Sequence, residues 1–322
     1  MTRTPPMRAA STGSGGCTSG SIARRAGATR PARGGAVMTN THAAERAGDG
    51  WGRAMTRPAA GAAGPDARAF AVALAAVFAV AVVATVAQHA SMAAMGGAPM
   101  SGGWMMSAAW QRPCGWGAGR TFAAFAGMWG AMTVTMMLPV LAPVLWRFRQ
   151  RVGSPPAARS VGLVVVAGAG YFAVWMAVGA LVFPAGAALT SAAARLPALA
   201  RAMPFVAGTV VLAAGVLQFS RWKARRLTCC RRAATCVHPP HAQAGAAWRH
   251  GVRAAIRCGA CCGNLMAVAL AAGMMDLRVM AVVTVAIAAE RLVPAGGRVA
   301  RIVGCVAVGG GVVMIVRAAG LP

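Results

Sequence analysis

The chain is built around apolar runs whose lengths match the thickness of a lipid bilayer. From Arg68 onward they cover 69–88, 121–146, 160–183, 204–220, 256–275, 279–293 and 302–318. A hydrocarbon core about 30 Å thick takes roughly 20 helical residues. The first three runs satisfy this outright, while the fourth, sixth and seventh stand near the lower limit. None of the runs alternates with period 2, which selects helices over a membrane barrel. The fold class expected is all-α: a polytopic transmembrane helical bundle of six or seven helices over 68–322, with a disordered N-terminal tail. Pro139 and Pro143 inside the second run predict kinks, Pro204 opens the fourth, and Pro294 closes the sixth.

Residues 1–67 are rich in Ala, Gly, Arg, Ser, Thr and Pro and contain no apolar stretch long enough for a signal-peptide core. They read as a disordered cytoplasmic tail. The same composition is what an upstream start in a GC-rich gene would produce, with Met38 or Met55 as alternative initiators.

The basic residues assign an orientation. The chain has 32 Lys+Arg against 5 Asp+Glu. With the N-terminus inside, fifteen bases lie in the inner segments, from Arg147 to Arg159, Arg221 to Arg253, and Arg291 to Arg301. Six lie outside, at Arg112, Arg120, Arg195, Arg201, Arg278 and Arg317. This asymmetry places the N-terminus in the cytoplasm and the protein in the inner membrane. It also accounts for the net charge of +27 without nucleic acid, since the bases lie between apolar blocks rather than in one patch beside aromatics.

The acid shortage excludes whole classes of chemistry. After Asp66 the only carboxylates are Asp276 and Glu290. Paired-carboxylate hydrolysis and oxygen-rich Mg²⁺ or Ca²⁺ cages are out of reach. No phosphate loop, Ser/His/Asp set or zincin motif is present, and the protein reads as a non-enzyme. Sulfur is left as the ligand set. Cys258, Cys261 and Cys262 occupy i, i+3 and i+4 on the fifth run, with Met266 one turn beyond. Soft thiolate and thioether donors in an apolar site suit Cu(I) first and Zn²⁺ second. Small cysteines also serve close helix packing, which is the competing account of the triplet.

Other groups complete the candidate set. Met128, Met132 and Met136 repeat every four residues, and Met136 and Met137 lie about ten residues, or roughly 14 Å, from the inner end of their helix. Glu290 is the only intramembrane carboxylate; such a group is costly in lipid, so it either pairs with Arg257 or Arg291 or serves as a ligand or proton relay. The inner loop from Arg221 to Arg253 carries Cys229, Cys230, Cys236, His238, His241 and His250 without a paired zinc spacing. This loop is suited either to exchanging metal with a soluble partner or to touching anionic lipid. An outer segment with His89, Met92, Met95, Met100, Met105, Met106 and Cys114 is a second candidate for metal capture, or an interfacial anchor with Trp104, Trp110 and Trp116. The run Gly309–Gly311 reads as close helix packing.

Several motifs together resemble a known family. The run from Trp129 through Met136-Met137-Leu138-Pro139 to Pro143 is similar to the W-x-x-M-x-x-A-M-M-L-P-x-x-x-P motif of the DUF2182 family, with Thr135 in place of Ala. Gly170 to Trp175, Gln218 to Lys223, Cys258 to Cys262 with Leu265-Met266, Gly273 to Asp276, and Glu290 to Pro294 follow in the family's order. In the inner loop Lys223, Leu227, Cys230 and Arg231 fit K-x-x-C-L-x-x-C-R, but Arg226 stands where that pattern has its first cysteine. The resemblance implies a multispanning bacterial membrane protein with a metal site.

These readings converge on a Cu(I)-handling membrane protein with Cys258, Cys261 and Cys262 as ligands and Met136 or Met137 contributing. Met266 would extend the path and Glu290 would adjust its charge. Its partners would be the bilayer and a soluble metal chaperone or metalloenzyme assembly factor. Two rivals remain at this point: a thiol oxidoreductase using the same cysteines, and an assembly subunit without chemistry.

Overall fold

The computed structural model describes residues 64–95, 98–99, 105–106, 115–152, 157–233, 243–273 and 276–320. Among them are eight helices: α1 Pro65–Met95, α2 Ala118–Arg151, α3 Ala157–Arg195, α4 Pro197–Leu217, α5 Arg221–Ala233, α6 Ala244–Gly273, α7 Leu277–Leu292 and α8 Gly296–Ala318. A two-residue antiparallel pairing, Ala98 with Met106 and Pro99 with Met105, is the only strand structure in these residues. The fold is all-α, as its apolar runs require.

Six helices are long and apolar enough to cross a membrane, namely α1, α2, α3, α4, α6 and α8. The run at 279–293 folds as α7, whose 16 residues rise about 24 Å and fall short of a full hydrocarbon core. By length and composition six of the expected runs qualify as spans, and α7 is the one that falls short. Large apolar side chains cover the outside of the bundle: Val80 is 70% exposed, Leu181 74%, Val285 67% and Val306 66%. Such a surface requires lipid rather than water, and the protein is a multi-pass membrane protein.

Three boundaries depart from the sequence expectation. α4 opens at Pro197, where the ring's fixed φ suits the first helical position, so Pro204 lies inside the helix. The inner segment Arg221–Arg253 is not a single loop. Its start folds as α5, which buries Lys223, Leu227 and Cys230 on one face and exposes Arg221, Arg225 and Arg226 on the other. Its end belongs to α6, which begins at Ala244 because its buried stripe of Ala247, Gly251 and Ala255 continues the spacing of Cys258 and Cys262 beyond the membrane run.

The core forms where α2, α3 and α6 meet. α3 and α6 cross so closely that a Cβ on Gly251 would run into the Ala167 carbonyl. Trp129 donates its indole N–H to the Trp175 carbonyl at 2.8 Å, tying α2 to α3 inside an otherwise apolar cluster. α8 packs along α4; a Cβ on Gly311 would stand 2.6 Å from the Leu212 nitrogen, while Gly309 and Gly310 have no atom within 4 Å. The close packing expected of the glycine run therefore rests on Gly311.

Candidate metal centre

Helix α6 presents its cysteines in two directions. Cys258 and Cys262, one turn apart, point to the same side with their sulfurs 3.2 Å apart, and Cys262 also donates to the Cys258 carbonyl at 2.8 Å. From α2, the Met137 thioether lies 3.9 Å from the Cys258 sulfur. Both thiols and Met137 are no more than 1% exposed. Two thiols and a thioether from facing helices thus converge at one buried point.

Cys261 does not join them. A helix turns about 100° per residue, so Cys261 cannot share the face of Cys262. It packs instead in a small cluster with Leu227 and Cys230 of α5 and Ala300 of α8. Cys230 donates to the Arg257 carbonyl, one turn before Cys261, at 3.0 Å. Its hydrogen bond with the Cys261 thiol, followed by its burial, pushes the Cys230 thiol well above the ordinary range. Helix α6 therefore contributes to two thiol pairs on adjacent faces, Cys258 with Cys262 and Cys261 with Cys230 of α5.

The remaining expected residues are placed as follows. Met136 is completely buried in the core cluster that holds Met137, one residue and about 100° of helical turn away from it. Met128 and Met132 lie in the same core, and Met266 is 5% exposed one turn beyond Cys262. His250 is on α6, stacked against Phe148 with ring centroids 4.8 Å apart. Cys236, His238 and His241 lie outside the described residues, as do the side chains of Met92, Met95, Met100, Met105, Met106, Trp104, Trp110 and Cys114.

Glu290 pairs with neither Arg257 nor Arg291, the two expected partners. Its Oε2 meets Lys223 Nζ at 2.9 Å, and its Oε1 accepts from Gln218 Nε2 at 2.7 Å. Lys223 also donates to the Cys261 carbonyl at 2.6 Å and to Asn264 Oδ1 at 3.2 Å, and Asn264 donates in turn to the Ala214 carbonyl at 3.3 Å. The pair is 99% withdrawn from solvent on both sides, each side chain being 1% exposed. Arg291 turns away from it by one helical step and donates from Nη1 to the Cys258 sulfur at 2.9 Å.

Tyr171 from α3 faces Cys258 as well. Its hydroxyl is buried and has no partner of good hydrogen-bond geometry among the described residues. An unpaired donor, a guanidinium and a thioether thus surround two thiols. Such a donor set is soft at its centre and fits an ion that accepts two or three sulfur ligands, with the outer groups compensating charge.

Three of these residues are marked in the sequence, although not as neighbours of the cysteines. Lys223 is the only lysine, Tyr171 the only tyrosine, and Arg291 a charge inside an apolar run. Among the described residues, no three His, Cys, Asp or Glu side chains form a metal cage by themselves.

A family model described as PpoB2, copper chaperone, matches residues 126–314. No curated protein and no solved structure matches the chain. The family match takes in more than half of the chain, from the methionine-bearing stretch of α2 to the glycine run of α8. On that extent the chain belongs to the PpoB2 copper chaperone family.

Proposed function

We propose that this protein binds Cu(I) inside the bundle through Cys258, Cys262 and Met137 and hands it to a soluble copper-carrying or copper-receiving protein. Three sulfurs converging from α2 and α6, with separations of 3.2 and 3.9 Å, carry this reading. Thiolate and thioether donors favour Cu(I) over harder ions, and a site with few ligands can release its ion by exchange with another thiol. Membership of a copper chaperone family supports copper as the cargo. Cys261 with Cys230 stands nearer the amphipathic helix α5 and suits an exchange position. Met136 and Met266 extend the sulfur-rich lining, and Glu290 acts through Lys223 rather than by touching the ion. The excess of inner arginines supports an inner-membrane location with a cytoplasmic N-terminus.

The test is anaerobic titration of the purified full chain with Cu(I) against a chromophoric chelator. One tightly held Cu(I) per chain is expected, absent from Cys258→Ser/Cys262→Ser and retained in Cys261→Ser. Equal copper content in the wild type and the double variant refutes the proposal. The 3.2 Å sulfur separation also favours a second reading, a dithiol oxidised to a disulfide. A loss of two hydrogens from the chain upon mild oxidation, with no dependence on copper, would support that reading instead.

A further inference from the structure

The centre holds a cation that sulfur ligation alone does not demand. Arg291 Nη1 is 2.9 Å from the Cys258 sulfur. The carboxylate beside it in sequence is not its counter-ion, because both Glu290 oxygens are taken by Lys223 and Gln218. The Lys223–Glu290 pair is neutral as a unit. Other arginines nearby are committed elsewhere or turned out: the Arg231 guanidinium donates to the Val293 and Pro294 carbonyls at 2.6 and 3.1 Å, and Arg257 is exposed. The charge at the sulfurs is therefore set by Arg291, by the two thiols and by the ion they hold.

Binding releases the two thiol protons to solvent and leaves two thiolates. Around a monovalent ion they make a complex with one net negative charge, which a single guanidinium cancels. Around a divalent ion they are already neutral, and the guanidinium becomes an uncompensated cation within a membrane protein, where charge is expensive. We propose that Arg291 makes the Cys258–Cys262 centre select a soft monovalent ion over Zn²⁺ by supplying the one positive charge that neutralises a bis-thiolate complex. This rests on the reading of those cysteines as the copper ligands. Arginine suits the role because its guanidinium stays charged under all physiological conditions and donates to sulfur in a fixed plane.

The experiment titrates the full-length protein in detergent, without oxygen, with Cu(I), Ag(I) and Zn²⁺. It compares the wild type with Arg291→Met, Arg291→Lys and Cys258→Ser/Cys262→Ser. Arg291→Met is expected to lower Cu(I) and Ag(I) affinity by at least about tenfold, or about 1.4 kcal/mol, while Zn²⁺ affinity holds or rises. Arg291→Lys, which keeps the charge, should preserve the wild-type order of ions. A purely structural arginine would weaken all three ions together, in the Lys and Met variants alike; that result overturns the proposal, as does an unchanged Cu(I)-to-Zn²⁺ ratio in Arg291→Met. If the wild type and the cysteine variant bind Cu(I) equally, the ligand assignment fails first and takes the role of Arg291 with it. Arg291→Gln replaces the Met variant should that one not fold, since it keeps a donor without the charge.

Discussion

Replacing Lys223 with methionine leaves the Glu290 carboxylate buried with a single amide for company. The ion pair it destroys has a 2.9 Å separation and side chains that are 1% exposed. At an effective dielectric of about 20, charges at that range attract by about 5–6 kcal/mol. Both ions were desolvated to form the pair, so the net worth of the pair is smaller, but breaking it from one side typically costs about 3–5 kcal/mol. The Cys261 carbonyl and Asn264 Oδ1 lose a donor at the same time. We therefore expect Lys223→Met to lose about 3–5 kcal/mol in reversible unfolding by SDS in mixed micelles. Lys223→Met/Glu290→Gln removes the orphaned charge as well and should be more stable than Lys223→Met alone, though not fully restored. A double variant that simply adds the two single losses would refute the argument, because it would mean the two side chains act independently. Amide exchange offers a local check: α5 is held to α6 through Lys223, and it should open before the rest of the bundle in the single variant.

Other consequences follow from particular contacts. Met137→Leu should weaken Cu(I) binding by about tenfold in chelator competition, whereas Met136→Leu, which changes a fully buried side chain on another face, should leave it within about twofold. Gly251→Ala should cost about 1–3 kcal/mol in the same unfolding assay, because its Cβ meets the Ala167 backbone, while Gly259→Ala, with no atom within 4 Å, should be neutral or slightly stabilising. With its thiol pushed well above the ordinary range, Cys230 carries less thiolate than a free cysteine at any given pH. Alkylation at pH 8 should therefore modify the half-exposed Cys229 first, and Cys261→Ala should speed the reaction of Cys230; equal rates at both cysteines in the wild type would contradict this.

Much of the architecture could be read without coordinates because a bilayer imposes a simple length rule. Continuous apolar runs gave the helices, and the period of small residues in 247–262 was already present, although the arginines at 249 and 253 disguised it as loop. α7 was harder to place: its 15-residue run could be a short span or a packed helix, and that depends on its neighbours. The site was legible as chemistry but not as geometry. Three cysteines within five positions suggested a single cluster, and helix rotation sends the middle one to Cys230. Glu290 was legible as a charge in need of a partner, yet its partner is Lys223 rather than Arg257 or Arg291.

What the amino-acid sequence determined by itself was composition acting over long stretches: a helical membrane protein, poor in carboxylates, with sulfur as its only dense supply of ligands. Hydrophobic length and charge asymmetry act on the chain against its solvent, so they need no knowledge of which helices touch. The tertiary structure alone decided the pairings: Cys258 with Cys262 and Met137, Cys261 with Cys230, Glu290 with Lys223, and Arg291 with Cys258. Residues 290 and 291 differ by one position and about 100° of rotation, and that angle sends one to a lysine of α5 and the other to a sulfur of α6. Which partner waits at each angle depends on how separate helices cross, and spacing along one helix carries no record of it.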